Sequence, residues 1–294
     1  MNVAAPQEPL LLWAYRAYVA LFFLYLAAPL ATASVFAFND SLFPSLPWLG
    51  FTLDWFFNDT EPKLGMFHDR RIMQSLWNSL YIGAAVSTLS VAVGTSTAFL
   101  FERRQFPGKT FLYILMIIPL VIPGVILGIS ILVFASTIAN NMEDTLGLDM
   151  TLLRPGVFLV VLGQFSFLAT ITTLVIGARL KKFDVTLEEA ALNLGASRPR
   201  VLLTVTLPFL RPAMIGSLLV GFLVSFENFN TTLMLVGSDA PLTITMYDRI
   251  AKAGATPVLN AVSFFLILGS GTLALISVIA QREKRRPAAA EAEA

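Results

Sequence analysis

Six stretches of this 294-residue sequence run for about 20 residues or more with no charge, or nearly none: roughly 18–38, 78–101, 110–139, 155–178, 212–236 and 258–281. About 20 apolar residues are what an α-helix needs to cross the hydrocarbon core of a bilayer. The chain therefore reads as all-α, a polytopic membrane protein with six transmembrane helices. Composition agrees, since only 13% of residues are charged against about 25% in soluble domains. The third stretch is long enough to tilt or bend, and Pro119 and Pro123 give it a place to do so. Only the fifth holds a charge well inside it, Glu227.

What is missing narrows the chemistry. There are no cysteines, which excludes disulfides and thiolate metal sites. A single histidine, His68, argues against a His-rich metal centre or a Ser-His-Asp triad. A net charge of +1 gives no reason to expect a nucleic-acid partner. Gly108-Lys109-Thr110 has the end of a phosphate loop, but that motif needs a glycine five positions earlier, where Arg103 stands. The chain is not expected to hydrolyse ATP or act as an enzyme.

Ala31-Thr32-Ala33 looks like a signal-peptide cleavage site. The apolar run continues to Phe38, however, and Glu8 offsets Arg16 before it, so the first stretch is read as a retained span. With the N-terminus inside, 14 of the 20 Lys and Arg residues fall on the inner side. That bias predicts cytoplasmic termini. Residues 1–17 form the cytoplasmic N-terminus, 18–281 the six-helix domain, and 282–294 a disordered tail rich in Ala and Glu. The first outer loop, 39–77, carries Trp48, Trp55, Phe56 and Phe57, expected at the headgroup level or against a partner. Asp69 to Leu80 mixes charge with Leu and Trp as an interfacial helix would.

The inner loop between spans four and five, 179–211, has too many helix signals for a plain connector. Thr186 and Glu189 have capping-box spacing. A short helix should follow from Leu187 to about Leu194, through the good helix formers Glu188, Glu189, Ala190, Ala191 and Leu192. Gly195 can end it in a left-handed conformation. Ser197 can cap a second helix, with Pro199 in its first turn and Pro208 marking entry to span five. Two short helices at the membrane face make a knob that a cytoplasmic partner could grip.

These residues carry a family resemblance. Glu189-Ala190-Ala191, three residues, Gly195, nine residues, then Val205-Thr206-Leu207-Pro208 resembles the "EAA" loop of binding-protein-dependent importer permeases, with Val in place of the usual Ile. The resemblance implies a type I (MetI-like) ABC importer permease fold. It implies that the loop is a coupling helix docking on a separate ATPase, through Glu188, Glu189, Ala190, Ala191, Gly195, Ala196, Leu207 and Pro208. It also implies two ATP-binding subunits that hold the ATP and Mg, a second permease, and a periplasmic substrate-binding protein. The alanines permit close approach of another backbone, and the helix N-terminus favours the Glu189 charge. Gly50 to Trp55, Trp77 to Leu80, Ile118-Pro119, Val121 to Pro123 and Thr243 to Ile250 look like the second permease of spermidine/putrescine importers. Related subfamilies carry iron, thiosulfate, aminophosphonates or opines.

Glu227 is the clue to cargo. A charge near mid-membrane costs about 2.5–3.5 kcal/mol on insertion scales and usually faces the bundle interior or a watery cavity. Asn230 and Thr231 fall at i+3 and i+4, on the same helical face. Asn228 and Thr232 add polarity, and the set suits an ammonium group. Glu227 could instead pair with the partner permease, or be packed in neutral form. A kink at Pro119 and Pro123 would free carbonyls, which suits a pore-lining helix. Gly124 and Gly128 make a GxxxG, read first as close packing within the subunit. A stand-alone secondary transporter would need more intramembrane ion-coupling groups than Glu227, and a membrane enzyme would need a convergent His, Asp or Glu cluster.

Overall fold

The computed structural model describes residues 9–283, and its regular elements are helical apart from one isolated antiparallel bridge, Asn39 to Phe51. In chain order they are α1 (Pro9–Phe36), α2 (Asp54–Phe57), α3 (Arg70–Arg103), α4 (Lys109–Val121), α5 (Gly124–Leu146), α6 (Val157–Leu180), α7 (Thr186–Asn193), α8 (Arg198–Val201), α9 (Leu207–Glu227), α10 (Asn230–Leu235), α11 (Leu242–Ala253) and α12 (Pro257–Glu283). A π-helical stretch, Leu202–Thr206, joins α8 to α9. Five helical runs are long and apolar enough to cross a membrane: Leu11–Phe36, Arg70–Arg103, Gly124–Leu146, Val157–Leu180 and Arg198–Glu227. The sixth expected span is α12, apolar over Pro257–Thr272. The expected tail lies outside the described residues from 284 onward, as do the first eight residues of the expected N-terminal segment.

The chain forms two compact units, Met1–Met73 with Asp248–Ala294, and Gln74–Tyr247, so the boundary falls inside α3 and α11. In the first unit, α1 packs against α12 and leaves its apolar side chains exposed. Trp55 and Phe56 do not lie at a surface as expected. Both are buried in the unit, with the Trp55 indole N–H donating to the Asn39 carbonyl at 2.9 Å. Phe38 draws Phe56 and Phe264 around it, with ring centroids at 5.3 and 5.0 Å. Trp48 and Phe57 stay exposed. Lys63 pairs with Asp40 and, at 3.7 Å, with Asp54; the Asp40 hydrogen bond holds its pKa above the ordinary lysine value.

No separate interfacial helix forms over 69–80. Asp69 Oδ1 accepts the amides of Arg71 and Ile72 at 3.0 and 3.1 Å, capping α3, which then runs unbroken for 34 residues. The charge pattern that suggested a surface helix is the first turns of span two itself, since nothing between Arg70 and Ile82 breaks the helix.

The second unit is built around α6, which packs against α4, α5, α9 and α10. One apolar cluster holds Ile82, Val86, Ala135, Leu159, Val160, Leu168 and Leu235. A second, toward the loop between α6 and α7, holds Val91, Ala98, Ile176, Leu180, Phe183 and Leu210.

Candidate coupling surface and transport pathway

The third expected span is two helices. Ile122 has extended backbone (φ −74°, ψ 128°) and Pro123 is the N-cap of α5. The clash of a proline ring with the preceding residue disfavours helix there. Pro119, by contrast, stays inside α4. Near it, Thr170 of α6 donates to the Met116 carbonyl at 2.6 Å, on the turn that the proline loosens.

The fifth expected span is also broken. α9 ends at Glu227, Asn228 is extended (φ −65°, ψ 114°), and α10 starts at Asn230. Asn230 and Thr231 therefore do not continue the face of Glu227, as an unbroken helix would require. Glu227 and Asn230 are exposed, while Thr231 and Thr232 are buried. The two breaks meet: a Cβ on Gly124, at the start of α5, would lie 3.0 Å from Thr231 Oγ1 and 3.1 Å from Asn230 Cβ. One turn on, a Cβ on Gly128 would lie 2.8 Å from the Thr231 carbonyl oxygen. The GxxxG thus seats α10 within the same chain, as its first reading held.

A chain of buried hydrogen bonds fixes the second break. Ser225 Oγ donates to Gln164 Oε1, Gln164 Nε2 donates to Thr232 Oγ1 at 2.8 Å, and Thr232 Oγ1 donates to Asn228 Oδ1 at 3.0 Å. Thr243 Oγ1 donates to the Asn228 carbonyl at 3.4 Å. Broken helices inside a bilayer persist only where such partners or a water-filled cavity satisfy the backbone. Glu227 stands at this break with no ion pair or side-chain hydrogen bond among the described residues. Sequence reasoning passed over Gln164, Ser225 and Thr170; a lone glutamine in an apolar span was the signal available.

In the 179–211 loop, α7 covers Thr186–Asn193, one residue off the expected helix at each end. Its start differs. Thr186 lies inside the helix and forms no capping box with Glu189; Asp184 Oδ1 takes the Thr186 amide at 3.0 Å instead. Hydrogen bonds from Thr186, side chain and then backbone, hold the Asp184 carboxyl below its ordinary pKa of 3.8. Gly195 has φ +86°, and the Gly195 and Ala196 amides return to Leu192 and Ala191, a Schellman closure that favours glycine. Ser197 is extended at the N-cap of α8 but makes no side-chain cap bond. The second short helix is not separate from span five: α8 runs through the π-helical stretch into α9, 30 residues from Arg198 to Glu227. Leu207 and Pro208 form the first turn of α9.

Exposure divides the residues expected to dock on an ATPase. Glu189, Ala190, Gly195 and Pro208 are exposed; Ala191, Ala196 and Leu207 are half-buried. Around them stand bare apolar side chains, Leu187, Leu192, Leu194 (88% exposed) and Leu203 (63%). Glu188 turns the other way, toward Arg103 and Thr206, which sequence reasoning named but did not connect with it. Arg179 stacks over Phe209, 4.1 Å from its centroid, and ties the end of α6 to the start of span five.

Residues 90–285 match the family described as binding-protein-dependent transport system inner membrane component. This chain belongs to that family. Such a chain is a membrane permease, multi-pass in the inner membrane. It is 26% identical over 267 residues to the putrescine transport system permease protein PotI of Escherichia coli strain K12, covering 90% of each chain. It is 26% identical over 262 residues to the spermidine/putrescine transport system permease protein PotC of the same strain, covering 89% of this chain and 91% of PotC. The fold matches that of a chain in the crystal structure of a bacterial ABC transporter that imports the acidic polysaccharide alginate, with TM-score 0.71, 20% identity and coverage of 94% of this chain and 95% of the other. The all-α permease fold expected from the 179–211 motif is therefore the fold observed.

Proposed function

We propose that this permease forms half of the pathway of an ATP-driven importer, and that its cargo is a small cation of the polyamine type. The alginate transporter carries an acidic polymer on the same fold, so the fold sets no sign for the cargo. The observation that carries the cationic reading is Glu227, exposed and without an ion pair or side-chain hydrogen bond among the described residues, at the end of α9 where the helix breaks, one residue from Asn228 and three from Asn230 in the chain. A carboxylate with amide and hydroxyl neighbours matches an ammonium group by charge and by hydrogen-bond sense. Pro123 belongs to this pathway through the break at Ile122, Pro119 through the turn just before it that Thr170 stitches, and Thr231 through its packing on Gly124. Resemblance to PotI and PotC points the same way.

The exposed apolar side chains around α7 are the expected mark of a partner surface. On this reading two ATPase subunits hold the ATP and Mg, and one of them grips α7. A second permease, different from this one, completes the pore, and a periplasmic binding protein delivers solute. The bias of 14 basic residues toward the assigned inner side supports cytoplasmic termini.

Two substitutions test the two halves separately. Ala190→Trp, at an exposed position, should abolish co-purification of the ATPase and leave the spans folded; full recovery and transport would refute the docking role. Glu227→Gln should cut putrescine uptake at least tenfold while assembly is unchanged, an effect of removing the charge on a site built to hold an opposite one. Normal uptake by that variant would remove the cationic pathway.

A further inference from the structure

We propose that Glu188, Arg103 and Thr206 form a latch that makes α7, the end of α3 and the start of span five move as one body. Glu188 is then a positioning residue for transport and not a contact for the ATPase. The inference rests on the coupling role proposed above for α7.

The two acidic neighbours on α7 do different things. Glu189 is exposed, whereas the Glu188 side chain is 24% exposed and its Oε1 is doubly held. Arg103 Nη2 donates to it at 3.1 Å, and Thr206 Oγ1 donates at 2.6 Å. Arg103 is the last residue of α3 and lies over the Phe183 ring, 5.4 Å from its centroid. Thr206 is 1% exposed and is the last residue of the π-helical stretch. One carboxylate oxygen thus joins three segments, α3, α7 and the start of span five, and it is turned inward while the Glu189 side chain stays exposed.

The place of Thr206 gives the latch its use. Pro208 has no N–H to continue the helical ladder, and its ring crowds the carbonyl four residues earlier. The chain widens into i→i+5 bonding there, with the Leu207 amide returning to the Leu202 carbonyl. A single π turn is a soft joint in the 30-residue run from Arg198 to Glu227. A displacement of α7 passed only through α8 would be absorbed at that joint. The Glu188–Thr206 bond bridges past it and delivers the displacement directly to α9, whose far end carries Glu227. The Arg103 arm delivers the same displacement to α3. An open pocket of about 380 Å³ lies beside the latch, lined by Glu188 and Thr206 with Arg104, Leu192, Arg198 and Leu202 among others; the apolar cluster below it already packs α3 against the start of span five, and the latch is what adds α7 to them.

The test is transport per ATP hydrolysed, measured with the assembled complex in proteoliposomes. Thr206→Val keeps shape and removes the hydroxyl; Glu188→Ala removes the hub. Each should lower solute moved per ATP about tenfold, the scale of losing a hydrogen bond to a charged group, with normal recovery of the ATPase. Thr206→Ser, which keeps the hydroxyl, should restore the ratio, as should the exchanged pair Arg103→Glu with Glu188→Arg in part. An unchanged ratio in Thr206→Val overturns the latch. Loss of ATPase binding in Glu188→Ala also overturns it, because Glu188 would then be a docking contact. If the wild-type chain recovers no ATPase, the coupling reading itself fails, and that outcome is distinct from both.

Discussion

The Gln164–Thr232 hydrogen bond is expected to hold the break between α9 and α10, and a double-mutant cycle across it measures how strongly. Gln164 is 1% exposed and Thr232 0%. Thr232→Val is isosteric but strips the acceptor from the Gln164 amide group, leaving a buried N–H₂ with no partner at 2.8 Å. Stranding a buried polar group costs about 1–3 kcal/mol in general, and interhelical bonds in membranes run at the low end, about 0.6 with a maximum near 1.7. About 1.5 kcal/mol is therefore expected for Thr232→Val. Gln164→Leu should cost less, about 1 kcal/mol. Ser225 can turn its hydroxyl to its own helix carbonyls, and Thr232 keeps Asn228 as acceptor. The double variant has no stranded amide, so its cost should stay near 1.5 kcal/mol in place of the additive 2.5, a coupling of about 1 kcal/mol. Unfolding of the purified protein in mixed micelles with rising dodecyl sulfate, followed by tryptophan fluorescence, reads all four corners. Additivity within about 0.4 kcal/mol would refute the claim that this bond holds the break.

Two further expectations follow from local geometry. Gly128→Leu must place atoms against the Thr231 carbonyl, where a Cβ alone would sit at 2.8 Å; backbone cannot yield cheaply, so a loss of about 2–3 kcal/mol in the same unfolding assay is expected, and a loss under about 0.5 would mean that α10 is not seated there. At α7, the Asp184 carboxyl has its pKa lowered from 3.8 by Thr186, so its stabilisation of the helix start is complete above the unfolded value and fades as pH falls through the lower folded value; hydrogen–deuterium exchange of residues 184–194, corrected for intrinsic rates, should be flat from pH 8 to about 5 and rise below about 4, and Asp184→Asn should remove that dependence.

What the sequence disclosed and what it hid differ by the range of the forces involved. The spans and the 179–211 helix were legible because hydrophobic runs, helix formers and Gly195 act within a few residues. Proline was a weaker guide: Pro29, Pro119 and Pro212 all lie inside helices, and only Pro123 coincides with a break. The difference is what each proline meets. In lipid an opened turn survives only with new partners, and the break at Ile122 is packed by α10 while the turn near Pro119 is stitched by Thr170. The break at Asn228 had no Gly or Pro to announce it, and the apolar pattern resumes at Leu233 as if one helix ran on. Its cause is tertiary: Asn228 gives its side-chain oxygen to Thr232, and Gln164 lies 68 residues away in sequence. The same holds for Glu188, whose neighbour Glu189 is the residue that the spaced motif names. Only folding tells the two apart, because Arg103 is 85 residues distant and Thr206 is 18. A motif therefore located the short helix at 186–193, but which of its two adjacent carboxylates turns inward is set by where α3 ends.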